Sequence, residues 1–282
     1  MNKKVNIIVD STADITEDVK ERLTVVPLTL RFGDEEYIEG VTIQKKEFYQ
    51  KLIESDVLPK TSQAVPADFS DIFEKIAAAG ESAVVITLSS KLSGTWQSAM
   101  IAAREYEDSV YVVDSRNVAI GTAILAKLAL RLVDEGMGAR EIAERLEKER
   151  EKICLIAMLD TLEYLKKGGR ISAAAAFAGG VLSIKPVVCI RDGEIVILGK
   201  ARGSKQGNNL LVSEIRKTGG IDFTKPILLG YTGLDDTLLQ KYIEDSKALW
   251  KEGISSLETT MIGSVIGTHA GPGAVAVAFF SV

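Results

Sequence analysis

Three short stretches in the first 115 residues consist almost entirely of apolar side chains. They are VNIIVDS at residues 5–11, AVVITLSS at 83–90 and VYVVDS at 110–115, and none of them alternates between polar and apolar positions. Such continuous runs are typical of strands that are buried on both faces of a parallel sheet. The segment 93–107 places apolar side chains at helical spacing, at Trp96, Met100 and Ala103. Strand, helix and strand therefore follow one another as a βαβ unit.

The second half of the chain predicts a different kind of sheet. Residues 185–202 read KPVVCIRDGEIVILGKAR, and the Asp192-Gly193 pair between two apolar stretches indicates a β-hairpin. Further strand-like runs follow among predicted helices, up to the closing AVAVAFFSV. We therefore predict an α/β fold with two domains, an N-terminal domain of residues 1–150 with a parallel sheet and a C-terminal domain of residues 151–282 with a mixed sheet.

Composition argues against several classes of protein. The chain has 282 residues and a net charge of −5, with its 34 basic and 39 acidic residues interspersed. Because no basic stripe is available to neutralise phosphates, we expect no nucleic-acid partner. A single histidine and two separated cysteines argue against a zinc site. We therefore predict neither a metal nor a cofactor.

The apolar segments are too short for a membrane protein. None reaches the ~18 residues that a membrane-spanning helix needs, and the apolar run at the N-terminus is too brief for a secretion signal. We expect no transmembrane segment and a cytoplasmic location. The longest weakly polar stretch, ISAAAAFAGGVLSI at residues 171–184, is predicted to be a buried helix.

Polar residues follow each of the three buried runs, as Asp10-Ser11-Thr12, Ser89-Ser90 and Asp114-Ser115. Ligands of open α/β sheets bind beyond the carboxyl ends of the strands, so these residues indicate a binding site. Ser93 and Gly94 begin the helix after the second run, where a hydroxyl and free backbone N–H groups suit an anion. Thr61 and Ser62, in a predicted loop, can close over the same site. These residue types also cap helices without any ligand, and that alternative stays open.

The only histidine, His269, lies in the glycine-rich segment GTHAGPGA at residues 267–274. Its glycines predict a loop in which the backbone can approach a ligand closely. A histidine in such a loop can donate a hydrogen bond to a carboxylate, although a lone histidine is more often a structural residue. The overlapping segment GPGAVA at residues 271–276 matches G-x-G-x-x-A. The dinucleotide-binding interpretation fails because the required helix, second strand and acidic residue do not follow.

A hydrolase is the main alternative from the residues themselves. It would pair a serine such as Ser93 with His269 and with Asp10 or Asp114, in the manner of a catalytic triad. The G-x-S-x-G turn that presents the nucleophile in many such enzymes is missing, since Ser93 lies in KLSGTW. This absence disfavours a hydrolase without removing it.

Several segments taken together resemble the DegV family of bacterial fatty-acid-binding proteins, which includes the binding subunits of fatty acid kinases. The resemblance covers almost the full length and rests on the order and spacing of VDSTADI (9–15), KTSQ (60–63), TLSSKLSGTWQSA (87–99), VVDS (112–115), LEYLKKGGRIS (162–172), KPVVCIRDGEI (185–195), KARG (200–203) and THAGPGA (268–274).

This resemblance implies a two-domain lipid-binding protein that buries one long-chain fatty acid, with the carboxylate held where the domains meet. By motif, Thr61 and Ser93 hydrogen-bond the carboxylate and His269 also reaches it, while Ser62 and the backbone at Gly94 are weaker candidates. Small side chains in residues 172–184 leave room for a tunnel, although close helix–sheet packing explains the same composition.

The resemblance further implies a partner kinase that phosphorylates the bound acid to an acyl phosphate for phospholipid synthesis. The chain would then present the substrate and catalyse nothing itself. Arg170 and Arg202 are candidates for contacts with the kinase or the acyl phosphate, since guanidinium groups bind phosphate in a bidentate manner. Simple surface solvation explains both arginines equally well. A fatty acid carrier without a kinase is a third reading.

Overall fold

The computed structural model describes residues 3–171, 184–250 and 257–282. Within these ranges the strands are β1 (Val5–Asp10), β2 (Leu23–Val26), β3 (Thr29–Phe32), β4 (Glu35–Ile38), β5 (Lys60–Ser62), β6 (Ser82–Thr87), β7 (Val110–Asp114), β8 (Ile153–Met158), β9 (Ile184–Arg191), β10 (Glu194–Arg202), β11 (Leu228–Tyr231), β12 (Glu258–Met261) and β13 (Val275–Phe280). The helices are α1 (Glu17–Lys20), α2 (Lys45–Glu54), α3 (Pro66–Ala78), α4 (Thr95–Ala103), α5 (Ala119–Asp134), α6 (Ala139–Glu149), α7 (Glu163–Lys167), α8 (Gly203–Lys217), α9 (Thr237–Asp245) and α10 (Ser264–Ala270).

The first sheet is parallel and has the strand order β2-β1-β6-β7. Its two central strands are buried on both faces because helices cover each side. Apolar residues of α3 and α4 pack on one face, and those of α5 and α6 pack on the other. The continuous apolar runs therefore correctly predict a buried parallel sheet, with each run on its own strand.

The second sheet is mixed and has the order β10-β9-β8-β13-β11-β12, in which only β11 and β12 are paired in parallel. The predicted hairpin is confirmed as β9 and β10, joined at Asp192-Gly193. Helices α8 and α9 cover the outer face of this sheet. Its inner face, formed by Leu155, Ala157, Val188, Ile190 and Ala276, looks toward the first sheet.

Helix α5 joins the two sheets into one packed unit. Nearly all of its residues are buried, and it contacts β1 and β6 of the first sheet as well as β8, β11 and β13 of the second. One apolar cluster therefore runs from the first sheet through α5 into the second. The α/β fold is as predicted, and the domain boundary near residue 150 stays a prediction.

A small antiparallel sheet with the order β4-β3-β5 was not predicted in full. It packs with α2 on an apolar cluster that includes Leu30, Phe48 and Tyr49. Strand β5 carries Thr61 and Ser62, so the prediction of a loop at these residues is wrong. The strand has only three residues and depends on pairing with β3, where Leu30 lies opposite Thr61.

The predicted helix after β6 is confirmed as α4, although not all of the apolar residues that predicted it are buried. Met100 is exposed, whereas the buried positions are Thr95, Ser98, Ala99, Ala102 and Ala103. Small side chains allow α4 to pack closely against its neighbours, and the larger ones point outward. The predicted buried helix at 171–184 falls almost entirely on residues outside the described ranges. None of the helices within those ranges is long and apolar enough to cross a membrane.

Candidate functional site

A cavity of about 410 Å³ lies between the inner face of the second sheet, the start of α5 and helix α10. Its walls are mainly apolar: Leu28, Leu88, Leu92, Val118, Ala119, Leu155, Ala157, Leu159, Leu165, Val188, Ile190, Ile195, Ile262, Val265, Ile266, Ala270, Ala274 and Ala276. Ligand-binding pockets typically enclose ~300–1,000 Å³ and are lined in this way. The cavity therefore has the size and the lining of a pocket for an apolar ligand.

Small side chains on the inner face make room for the cavity. Ala276 on β13 and Ala157 on the neighbouring β8 are directly paired and both line it. On the other face of β13, Val275, Val277 and Phe279 pack into the core under α8 and α9. The alternation of small and large residues along β13 thus fills one side of the sheet and leaves space on the other.

One end of the cavity is polar. This polar end consists of Thr61, Ser62, Gln63, Ser93, Gly94, Arg170 and His269. All five residues predicted to hold a carboxylate are therefore among its lining residues, together with one of the two predicted arginines. The contact between Thr61 and His269 joins residues 208 positions apart, with 3.0 Å between Thr61 Oγ1 and His269 Nε2.

His269 lies in the last turn of α10, so the prediction that it sits on a loop is wrong. The helix ends at Gly271, whose φ of 69° is a conformation that favours glycine. The glycines in this segment fit against aromatic rings. A Cβ at Gly267 would lie 2.5 Å from the Tyr49 hydroxyl oxygen, and one at Gly271 would lie 2.2 Å from Cδ2 of Tyr164. Close packing within the protein therefore accounts for these two glycines.

The imidazole of His269 is uncharged at neutral pH. Burial, assisted by the positive charge of Arg170, lowers the pKa of His269 to about 4. Its Nδ1 atom is buried and has no hydrogen-bonding partner among the described residues. An N–H group without an acceptor is rarely buried, which favours the tautomer with its proton on Nε2. In that tautomer His269 donates to Thr61 Oγ1, and the Thr61 hydroxyl proton is free to bond a ligand.

Ser93 and Gly94 lie just before α4, at the polar end. Ser93 Oγ is 3.0 Å from Thr95 Oγ1 and accepts a weak bond of 3.3 Å from the Thr95 N–H. Gly94 is the N-cap residue of α4, and a Cβ there would lie 2.0 Å from Oε1 of Gln63. Gln63 also donates to Ser98 Oγ at 3.2 Å. Sequence reasoning missed Gln63 although it belongs to the quoted KTSQ segment.

The two predicted arginines occupy different places. Arg170 is half-buried, lines the polar end, and donates to the carbonyl oxygens of Gly168 at 2.7 Å and Leu92 at 3.3 Å. These bonds fix its guanidinium beside His269. Arg202 is exposed at the end of β10 and lies outside the cavity lining as the described residues define it.

The carboxylates predicted at the strand ends accept hydrogen bonds from backbone N–H groups. Asp10 is fully buried and accepts bonds from the Thr12 and Leu88 N–H groups, at 3.0 and 2.7 Å. Asp114 accepts bonds from the Ser90 and Arg116 N–H groups. In the described part of the chain, the hydrogen-bonding partner of His269 is Thr61. A Ser-His-Asp triad is therefore not assembled from these residues.

A buried cluster of carboxylates holds the other end of α10. Glu39 accepts bonds from the Val265 N–H at 2.8 Å and from the Ser11 hydroxyl at 2.6 Å. Asp14 accepts bonds from the Gly263 N–H at 2.7 Å and from Lys45 Nζ at 2.8 Å. Burial raises the pKa of Glu39 to about 7 and raises that of Asp14. This cluster positions α10, and the sequence analysis missed it because both residues look like ordinary surface charges.

Among residues 3–171, 184–250 and 257–282, no group of three or more His, Cys, Asp or Glu side chains is arranged to hold a metal ion. Cys154 and Cys189 are free thiols. Burial raises the pKa of both, as expected of unreactive core cysteines.

Comparison with known proteins gives one consistent family. Residues 4–282 match the family model described as "Uncharacterised protein, DegV family". A DegV domain-containing protein of Caldanaerobacter subterraneus subsp. tengcongensis is 36% identical over 98% of this chain and 99% of its own. A DegV family protein from Thermus thermophilus, described as fatty-acid binding, superposes with a TM-score of 0.88 at 30% identity, covering 100% of both chains. A stearic-acid-binding protein from Eubacterium ventriosum superposes with a TM-score of 0.85 at 26% identity, over 100% of this chain and 98% of that one. This chain belongs to the DegV family.

Proposed function

We propose that this protein binds one long-chain fatty acid in the cavity, with its carboxylate at the polar end. The observation that carries the proposal is the shape of the site, an apolar cavity with hydrogen-bond donors and one cation gathered at one end. A fatty acid has the same division between a long apolar chain and a single anionic head. The fatty-acid-binding proteins of the same fold support this choice of ligand.

The polar end suits a carboxylate for electrostatic reasons. Thr61 and Ser93 offer hydroxyl groups, neutral His269 orients the Thr61 hydroxyl, and Arg170 supplies one positive charge nearby. A charge-assisted hydrogen bond contributes about 1.5–3 kcal/mol, so two such bonds fix the orientation of the head group. Ser62 and the Gly94 backbone complete this end as weaker contacts.

The apolar walls supply most of the affinity in this proposal. Each methylene moved from water into the cavity contributes about 0.8 kcal/mol, so a long chain outweighs the head-group bonds. The site lies between residues 1–150 and 151–282, which we propose as the two domains. A cytoplasmic location is part of the same proposal.

We further propose that the protein presents the bound acid to a partner kinase, which forms an acyl phosphate for phospholipid synthesis. Arg170 beside the polar end and exposed Arg202 are the proposed contacts for the phosphate or the kinase. In this scheme the chain binds and presents its substrate without catalysing a reaction. A carrier without a kinase fits the same cavity, whereas the hydroxyl, histidine and carboxylate geometry offers no support for a hydrolase.

Mass spectrometry of the purified protein tests the binding proposal. Under native conditions we expect an added mass equal to one long-chain fatty acid, and under denaturing conditions the mass of the chain alone. Failure to carry or take up any fatty acid would contradict it. Incubation of the loaded protein with a candidate kinase and ATP tests the second step, and acyl phosphate formation that falls in Arg170→Ala or Arg202→Ala would support it.

A further inference from the structure

Helix α7 is capped by a glycine, Gly168, that lies against the imidazole of His269. A Cβ atom at Gly168 would be 2.2 Å from His269 Nδ1 and 2.8 Å from Cε1. The backbone of Gly168 has a φ of −73° and a ψ of −9°, a right-handed conformation that residues with side chains commonly adopt. The space taken by the ring, and not the backbone conformation, therefore excludes a side chain at this position.

The ring cannot move aside without disturbing its contact with Thr61. It would have to shift by roughly 1 Å to reach van der Waals distance from a Cβ atom. His269 Nε2 is 3.0 Å from Thr61 Oγ1, and hydrogen bonds between N–H and oxygen keep to ~2.7–3.2 Å. Helix α10, which carries the ring, is itself packed against α2, α7 and β5. A side chain at position 168 therefore changes or breaks the contact between His269 and Thr61.

The backbone around Gly168 makes its hydrogen bonds away from the ring. The N–H groups of Gly168, Gly169 and Arg170 all donate to carbonyl oxygens of α7, at 2.8–3.1 Å. The Gly168 carbonyl oxygen accepts a bond of 2.7 Å from Arg170 Nη1. Within the described residues, His269 Nδ1 is buried beside this backbone without a hydrogen-bonding partner. These surroundings penalise an N–H group at Nδ1 and keep the ring proton on Nε2.

The position of the ring proton decides what the Thr61 hydroxyl can do. With the proton on Nε2, His269 donates to Thr61 Oγ1, and the hydroxyl proton is directed to another acceptor. With the proton on Nδ1, the hydroxyl would donate to Nε2 and would offer a ligand only its lone pairs. A carboxylate accepts hydrogen bonds and donates none, so only the first arrangement attracts it. An alcohol both donates and accepts, so it can bond to either arrangement.

We propose that Gly168 is a positioning residue for the head group. Its lack of a side chain seats the His269 ring against α7, holds the proton on Nε2, and so makes Thr61 a donor that prefers a carboxylate to an alcohol. The effect on binding rests on the proposed fatty acid function, whereas the position of the proton is a property of the protein alone.

Nitrogen NMR spectroscopy of isotopically labelled imidazole measures the position of the proton directly. His269 is the only histidine, so every imidazole signal of the untagged protein belongs to it. At neutral pH we expect Nε2 to carry the proton and Nδ1 to be without one. In Gly168→Ala the displaced ring should show a mixture of the two tautomers or the reverse one. Gly138→Ala is the matched control and should leave the spectrum unchanged, because Gly138 lies outside the cavity lining and a Cβ there has Glu141 Oε2 as its nearest neighbour, at 3.5 Å.

Competition between palmitic acid and hexadecan-1-ol, read by native mass spectrometry, measures the effect on the head group. Gly168→Ala should lower the preference for the acid about tenfold, because it removes the donor that only the carboxylate requires. Gly138→Ala should keep the preference of the wild type. In the His269→Ala background, Gly168→Ala should change the preference by less than about twofold, since the Cβ enters space that the ring has left.

The results separate this role from a general effect on folding. A proton on Nδ1 in the wild type, or an unchanged tautomer in Gly168→Ala, would overturn the role of Gly168, as would equal losses of acid and alcohol. If Gly168→Ala alone does not fold, the double variant with His269→Ala should fold as well as His269→Ala. A double variant that also fails would show that the side chain clashes with more than the ring, against the proposal. A wild-type protein that binds no palmitic acid would instead overturn the proposed function, and the NMR spectra would still decide where the proton lies.

Discussion

The first and second sheets are both built from apolar strands, yet the apolar cavity described above extends along the inner face of the second. In the first sheet, Ile7, Val84 and Ile86 face α5 and α6 and are buried in the apolar cluster there. On the inner face of the second sheet, Ala157 and Ala276 take the corresponding central places. The difference shows that the size of the side chains on one face decides whether a buried sheet becomes core or a binding surface.

Filling the cavity should have the largest effect on binding. Ala276→Phe places a ring in the middle of the inner face, so we expect fatty acid retention to fall at least about 100-fold, while overpacking costs at most about 1–3 kcal/mol of stability. Bound lipid after purification and the urea unfolding midpoint measure the two effects. A variant that still carries a full equivalent of lipid would show that the ligand lies elsewhere.

The buried carboxyl group of Glu39, which contacts the start of α10, makes the stability of the protein depend on pH. The pKa of Glu39 is about 7 in the folded protein and near 4.5 in the unfolded chain, so the folded state binds the proton more tightly. The free energy of unfolding therefore falls as pH rises from about 4.5 to about 7, by about 3 kcal/mol for this group. Glu39→Gln should remove this part of the dependence.

Urea unfolding of the wild type and Glu39→Gln at pH 5 and pH 8 measures the effect. Some dependence remains in the variant, because burial also raises the pKa of Asp10 to about 6. If the free energy of unfolding changed equally between pH 5 and pH 8 in the two proteins, Glu39 would not be taking up a proton in this range.

Shortening a buried side chain in the first sheet's core should lower the stability of the protein and leave fatty acid binding unchanged. Val84 is completely buried between β6 and the helices, and Val84→Ala is expected to lower the free energy of unfolding by about 2 kcal/mol. Retention of the fatty acid by the folded variant should stay within about twofold of the wild type. A selective loss of lipid would show that the first sheet contributes to the site more directly.

The head-group contacts should have moderate effects on binding. His269→Ala and Thr61→Val each remove part of one hydrogen-bonded unit, so each should weaken retention about tenfold without unfolding the chain. The double variant should be about as weak as either single one, because the two residues act together. Ser213→Ala, at an exposed position of α8 outside the cavity lining, is the control. Additive losses would show that Thr61 and His269 contact the ligand independently.

The sequence predicted those parts of the fold that local pattern determines. Continuous apolar runs indicate buried strands whatever they pack against, so the parallel sheet was found, as was the hairpin at Asp192-Gly193. Strand β5 and helix α10 were missed because they depend on distant partners. Helix α10 has seven residues, and one of them is a glycine. It is held in place because Glu39 and Asp14, more than 220 positions away, accept hydrogen bonds from backbone N–H groups at its start.

The site shows the same limit. Thr61, Ser93 and His269 were proposed from their residue types and from the family resemblance, but no local pattern indicates that Thr61 and His269 touch. Propensity and periodicity describe neighbours along the chain, whereas the cavity exists because Ala157 and Ala276 meet on paired strands more than 100 residues apart.

A crystal structure of the protein with stearic acid tests the central claim most directly. We expect one acyl chain along the inner face of the second sheet, with its carboxylate within hydrogen-bonding distance of Thr61 Oγ1 and Ser93 Oγ. A chain bound in the opposite direction, or outside this cavity, would contradict the account.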